Sequence, residues 1–272
     1  MERPTVAVLG AGSMGEIFAA GLLRAGWHQS DLILAVRREE RARDLHHNTG
    51  IETTLDLKEA TADRDVVVIG VKPRDVPAVI AEIAELIRPS QTIVSIAAGV
   101  PIELYEKAMP GVPVVRAMPN TPSAVDLGMT AYTTGSDVGA EQTERARMVL
   151  SAVGETIELS EDLLDAVTAV SGTGPAYVFL LAESLIEAAI REGLPHHAAE
   201  KLVHQTLRGS GELLSTSDKS AFRLRGEVTS PGGTTAAAMH VLEEGSFRAL
   251  VEDAVHAAAQ RSRDLGEKAT ES

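Results

Sequence analysis

Residues 5–15 read Thr-Val-Ala-Val-Leu-Gly-Ala-Gly-Ser-Met-Gly, and the amphipathic stretch behind them carries Ile17, Phe18, Leu22 and Leu23. Residues 5–9 are apolar after the first, as a strand buried on both faces must be, and the stretch that follows has the pattern of a helix. Gly10 permits a tight turn, Gly12 lets a pyrophosphate approach the backbone, and Gly15 lets the helix pack close to the strand. Ala11, Ser13 and Met14 fill the remaining positions, and the helix N-terminus faces the anion. Alone the six-residue pattern is weak, since a tight turn with no ligand would also give it. Its strand–turn–helix setting predicts a dinucleotide-binding turn over residues 10–15.

Outward from this turn, short apolar runs rich in β-branched residues alternate with amphipathic stretches. The runs are residues 32–36, 66–69, 92–96 and 112–115, a weaker one at 129–133, and 155–159. They predict an α/β fold, a Rossmann-type doubly wound parallel sheet covered on both faces, over residues 1–159. Beyond it, strand-like runs cease. Residues 177–192, 197–215, 234–243 and 247–265 carry apolar side chains at helical spacing, as at Val178, Leu181, Leu185 and Ala189. Residues 160–272 are expected to form an all-helical domain. Its runs of three alanines at 236–238 and 257–259 suit close helix packing within or between chains.

The chain has 272 residues, with 25 Lys+Arg against 39 Asp+Glu for a net charge of −14. At about 150 residues per domain this suggests two domains, and an apolar content of 44% lets each bury a core. Residues 1–159 and 160–272 each sum to −7, so no acidic tail explains the total. Such a surface disfavours nucleic acid, whose binding rests on clustered Lys and Arg. The absence of Cys removes disulfides, thiolate metal sites and Cys nucleophiles, and it fits a reducing compartment. Met1-Glu2-Arg3-Pro4 leads straight into an apolar strand, and no apolar run approaches about 18 residues. A soluble, cytoplasmic protein with no membrane partner is expected.

Against the acidic background Arg37 and Arg38 stand out at the end of the second expected strand, roughly 20 residues past the glycines. A carboxylate there would hold a free ribose 2′-hydroxyl; two guanidiniums suit a 2′-phosphate and can bond it bidentately. Arg41 and Arg43 follow closely, and Glu39, Glu40 and Asp44 offer the alternative of surface ion pairs. Three further loops fall at the C-terminal ends of strands, where open α/β sheets bind ligands. They are Val71-Lys72-Pro73, Ala97-Ala98-Gly99, and Met118-Pro119-Asn120-Thr121-Pro122. Lys72 and Asn120, polar groups beside prolines, are candidates for positioning the nicotinamide end.

Two Gly/Ser/Thr-rich stretches interrupt the helical half. In Ser171-Gly-Thr-Gly-Pro-Ala176, Pro175 suits a first helical turn. In Val228-Thr-Ser-Pro-Gly-Gly-Thr-Thr235, the N–H groups of Gly232, Gly233 and Thr234 and the hydroxyls of Ser230, Thr234 and Thr235 make a place for a small carboxylate. An N-cap without ligand would use the same residues. His196, His197 and His204 lack ligand spacing, so no metal is expected. Glu183 and Glu187, with Arg191 one turn further, read as a solvated or interface face. There is no nucleophile elbow and no Walker loop.

In this order, and over nearly the whole chain, the glycine turn, the loops at 71–73, 97–99 and 117–122, and the stretches at 171–177 and 228–235 resemble the pyrroline-5-carboxylate reductase family. The Ser-Pro-Gly-Gly-x-Thr run is the most specific of them. The resemblance implies reduction of 1-pyrroline-5-carboxylate to L-proline, the last step of proline biosynthesis, by NADPH, with NADH as a weaker donor. It also implies that the helical domain dimerises, with a ring of dimers as a larger assembly. By matching position, Thr235 hydrogen-bonds the imine nitrogen, backbone around Gly233 and Thr234 binds the substrate carboxylate, and Ser230 shapes the loop. Leu57 departs from the Asn of many members, on the adenosine side. A cyclic imine one methylene larger would differ only modestly in binding. A 3-hydroxyacid dehydrogenase resembles a family that uses a Lys early in its helical domain, and none lies between Ser160 and Glu200 here. A non-catalytic NADP-responsive regulator would keep residues 10–15 without needing 230–235.

Overall fold

In the strand Val6–Leu9 every residue is buried, and alternate side chains enter different apolar layers. Val6 and Val8 pack with Phe18, Leu22, Leu32 and Leu34, whereas Ala7 and Leu9 pack with Ile33, Val67, Ile80 and Tyr105. A two-residue period with both faces covered is what a continuous apolar run dictates. The computed structural model describes residues 2–270; Met1, Glu271 and Ser272, which the expected domain spans include, lie outside the described residues. The strands are β1 (Val6–Leu9), β2 (Leu32–Ala35), β3 (Glu52–Thr54), β4 (Val66–Ile69), β5 (Thr92–Ser95), β6 (Val114–Met118), β7 (Gly128–Thr134) and β8 (Gly154–Glu158). With them alternate the helices α1 (Ser13–Arg24), α2 (Glu39–Thr49), α3 (Leu57–Thr61), α4 (Val76–Ile83), α5 (Ile102–Ala108) and α6 (Ala140–Leu150).

The strand order is β3-β2-β1-β4-β5-β6-β7-β8, so the winding reverses between β1 and β4. That reversal opens the crevice in which doubly wound sheets bind ligands. One pairing departs from the expected parallel sheet: β7 runs antiparallel to β6. A parallel crossover needs a dozen residues or more. Between Met118 and Gly128 the chain has only a short 3-10 turn, Thr121–Val125, and so it doubles back. After the longer return through α6, β8 pairs parallel with β7. The edge strand β3 was not expected, because Glu52, Thr53 and Thr54 lack an apolar run.

The chain continues through α7 (Leu164–Val167), a π turn at Thr168–Gly172, α8 (Gly174–Arg191), α9 (His196–Thr216), α10 (Ala221–Glu227), α11 (Thr234–Glu244) and α12 (Phe247–Thr270). The first Gly/Ser/Thr stretch is therefore wound into helix rather than left as a break. The Thr173 N–H and hydroxyl both donate to Thr168 O, at 2.8 and 2.9 Å. Through this turn Glu161–Arg191 becomes one helical run of 31 residues, long and apolar enough by length and composition to cross a membrane. No unbroken apolar stretch in the sequence announces this run, because the polar residues Ser171, Thr173, Glu183 and Ser184 interrupt it.

Two compact units result. One runs as far as Thr173 and takes in the chain from Ala257 onward; the other is Gly174–His256. This differs from a single cut after residue 159, since α12 begins in the helical unit and ends in the sheet unit. Within the sheet unit Ser262 Oγ donates to Asp165 Oδ1 at 2.6 Å and holds the end of α12. Among the described residues of the helical unit, only Ala199 and Val203 are buried, while Phe179, Leu180, Phe222, Val241 and Leu250 are exposed. Apolar surface on this scale marks a contact with another protein, a membrane or a ligand.

Candidate active site

The C-terminal end of β1 delivers Gly10 with φ +80°, and a Cβ there would lie 2.9 Å from Val71 N. Both the backbone conformation and the close approach of the loop after β4 thus demand glycine. Gly10 N and Ala11 N donate to Ala35 O at 2.9 and 3.2 Å, which ties the turn to the end of β2. Gly12 is the N-cap of α1, and no side chain caps that helix. The N–H groups of Ser13, Met14 and Gly15 therefore start a helix with no side-chain acceptor, the arrangement that takes an anion.

A cavity of about 320 Å³ opens on this turn, at the switch point. Arg37, Arg38 and Arg41 wall it on one side, and Val71, Lys72 and Asp75 on the other. Arg37 Nη2 lies 3.1 Å from Asp75 Oδ2. Its ion pair is thus made across the cavity rather than with Glu39, Glu40 or Asp44. Arg41 Nη2 reaches Glu16 Oε2 at 2.5 Å and Ala11 O at 3.5 Å, laying a third guanidinium beside the glycine turn. No motif in the sequence marks Asp75, while Arg41 lies one helical turn past Arg38, the N-cap of α2. A larger space of about 730 Å³ runs along β3 and α2, but none of residues 10–15 lines it. It is a groove at the sheet edge, and His46 Nδ1 within it is already 2.8 Å from Ile51 O.

After β5, the loop Ala97-Ala98-Gly99 is fixed from several sides. Ala97 N donates to Ser95 Oγ at 3.4 Å, and Ser95 Oγ shares a 2.5 Å hydrogen bond with Tyr105 OH. Burial pushes the Tyr105 hydroxyl up to about 12, against the lowering influence of the Ser95 bond and of Arg116. Past the loop, Ile102 N and the buried Arg116 Nη1 both donate to Glu161 Oε1 at 2.9 Å. On a further side stands α12: a Cβ on Gly266 would come within 2.5 Å of Gly99 O. Pro73 opens a 3-10 turn behind Lys72 and stiffens the loop after β4.

Asn120 is buried, and its amide bonds stay within the protein. Nδ2 donates to Ser171 O and Oγ at 3.2 Å, and Oδ1 accepts from Met129 N at 2.9 Å. It clips the turn after β6 to β7 and to the π turn.

In the helical unit, Gly232 turns the chain with φ +68°, and Gly233 N donates to Ser230 O at 3.1 Å. Ser230 Oγ lies so close to Gly233 that any Cβ there would strike it. Gly233 is the N-cap of α11, again with no side-chain cap, so the N–H groups of Thr234 and Thr235 start a helix with no side-chain acceptor. Thr234 is exposed and Thr235 half-buried. Among the described residues no group of three or more His, Asp or Glu could hold a metal.

A doubly wound sheet with a glycine turn and a three-arginine cavity at its switch point defines a dinucleotide-dependent oxidoreductase. The family model described as NADP oxidoreductase, coenzyme F420-dependent, matches residues 5–99, and that described as pyrroline-5-carboxylate reductase dimerisation matches 161–265. A pyrroline-5-carboxylate reductase of Mycobacterium tuberculosis is 42% identical, covering 96% of each chain, and one of Corynebacterium melassecola is 41% identical, covering 96% of this chain and 98% of its own. The solved structure of a pyrroline-5-carboxylate reductase from Coxiella burnetii superposes with a TM-score of 0.90 at 35% identity, over 97% of this chain and 99% of that one. A Plasmodium falciparum pyrroline carboxylate reductase with NADP bound gives 0.89 at 31% identity, over 98% and 99%. The chain belongs to the pyrroline-5-carboxylate reductase family.

Proposed function

We propose that this chain reduces 1-pyrroline-5-carboxylate to L-proline with NADPH, the last step of proline biosynthesis, and that it accepts NADH as a weaker donor. The observation that carries the reading is the basic cavity at the glycine turn, in a chain 41–42% identical to reductases of that name. The residues present fit the cofactor: the close approach of Gly10 and Val71 leaves room for backbone only, and Arg37 and Arg38 supply donors for a 2′-phosphate. Bound NADPH supplies the hydride.

What the protein contributes is position. Gly10, Ala11, Gly12, Ser13, Met14 and Gly15 offer the pyrophosphate a helix start, and Arg37 and Arg38 hold the 2′-phosphate. The loops at Val71-Lys72-Pro73 and Ala97-Ala98-Gly99 flank the cofactor, and Asn120 keeps the neighbouring turn in place. In the helical unit, Gly232, Gly233 and Thr234 anchor the substrate carboxylate and Ser230 shapes that turn. The Thr235 hydroxyl hydrogen-bonds the ring nitrogen, donating to the neutral imine and accepting from its N–H once it is protonated, and fixes which face of the ring is presented. A cyclic imine, once protonated, accepts hydride readily, so orientation and exclusion of water do more than a strong acid would.

The same reading makes the bare apolar faces of Gly174–His256, and the long run Glu161–Arg191, a seam between copies of this chain rather than a membrane span. The assembly is a dimer that builds into a ring of dimers in the cytoplasm, with neither nucleic acid nor membrane as partner; the net charge of −14 supports the first exclusion. The test is spectrophotometric. Purified protein with pyrroline-5-carboxylate consumes reduced nicotinamide, faster with NADPH; no substrate-dependent consumption with either cofactor ends the proposal.

A further inference from the structure

Asp75 is a carboxylate in a cavity built for phosphate, and nothing in the chemistry above uses it. Its side chain is 24% exposed against 67% for Arg37, so of the two partners Asp75 is the better anchored. It closes the turn Pro73–Asp75, in which Asp75 N donates to Lys72 O at 2.8 Å, directly ahead of α4. Arg37 follows the end of β2 and reaches over from the opposite wall.

We infer that Asp75 sets cofactor selectivity: it competes with the ribose 2′-phosphate for Arg37 and thereby narrows the preference for NADPH over NADH. The inference rests on the reading of Arg37 as a 2′-phosphate ligand. When the incoming ribose carries a phosphate, the Arg37 guanidinium must leave Asp75 or share itself between two anions. When the ribose carries only a hydroxyl, the ion pair stays intact and nothing is lost. Only an interaction that differs between the two cofactors changes their ratio, and this one acts against NADPH alone. An ion pair this exposed is worth a factor of about 2 to 5 in an equilibrium constant.

The experiment measures Michaelis constants for NADPH and NADH in the wild type, Asp75→Asn, Arg37→Ala and the double variant, with Asp75→Ser as a second neutral replacement. Asp75→Asn and Asp75→Ser lower the NADPH constant about 2- to 5-fold and leave that for NADH where it was. In the Arg37→Ala background, Asp75→Asn has no further effect on the ratio, because the contested guanidinium is gone. Equal changes for both cofactors, a higher NADPH constant, or the same gain with Arg37 absent would each overturn the inference. If Arg37→Ala shifts both cofactors alike, the phosphate reading itself falls; if it weakens NADPH selectively while Asp75→Asn does not move the ratio, only the role of Asp75 falls.

Discussion

Gly266→Ala asks whether the last helix sets the position of the cofactor loop. The added Cβ would stand 2.5 Å from Gly99 O and 3.4 Å from Gly99 C. A carbon resting against a carbonyl oxygen wants about 3.3–3.6 Å, so one side must retreat by roughly 1 Å. Neither side ends in a flexible side chain. One is the backbone of α12, and the other is a loop with Gly99 at φ +78°, tied at its flanks through Ser95 and Ile102. Overpacking of this kind costs about 1–3 kcal/mol. At about 2–4 °C per kcal/mol for a chain of this size, the melting temperature falls by roughly 2–12 °C. If about 1 kcal/mol of the strain is expressed on the Ala97–Gly99 loop, NADPH binds about fivefold more weakly. The assay is a thermal melt with and without saturating NADPH, together with a direct cofactor titration. Unchanged melting and unchanged affinity would refute the idea that Gly266 is small because Gly99 is there.

Two other perturbations probe different elements. Thr235→Val, which keeps shape and removes the hydroxyl, lowers turnover tenfold or more by the scale of a lost transition-state hydrogen bond of about 1.4–3 kcal/mol, with NADPH affinity nearly intact; full turnover would reject its orienting role. Tyr105, raised from 10.0 to about 12 chiefly by burial, holds its proton in the fold at a pH where the unfolded chain has released it. Its contribution to stability is therefore present below about pH 10 and is lost as pH rises towards 12. Tyr105→Phe makes denaturant stability fall less steeply over that window and costs about 1 kcal/mol at neutral pH for the lost Ser95 bond. An unchanged alkaline slope would contradict this.

How far the sequence discloses the structure depends on how local the cause is. The strands β1, β2 and β4 are legible because every residue in them is buried and apolar, so the run has no gaps, and β5 because Ile93 and Val94 sit between the buried, β-compatible Thr92 and Ser95. The polar edge strand β3 sends no such signal. The direction of β7 follows from the brevity of the link after β6, a fact of chain length rather than of residue type. At the candidate site, the glycine turn and the arginine pair are read from adjacent residues, whereas Arg37 and Asp75 are far apart in sequence. They meet only because β2 and β4 flank β1 and both end at the same edge. Gly266 is less legible still: a glycine inside a helix looks like a defect worth about 1 kcal/mol, until Gly99 is found beside it. Asn120 stands out in the sequence as a polar residue between prolines, but its partners Ser171 and Met129 lie in segments that no motif connects to it.

The path of α12 also bears on how such enzymes can be recombined. Because the chain from Ala257 onward belongs with the sheet, a chimera of two relatives joined at one crossover near residue 173 would seat a foreign helix end against Gly99. The exchangeable module is the interior segment Gly174–His256, an insert with host sequence on both sides of it, and grafts need two junctions to respect it.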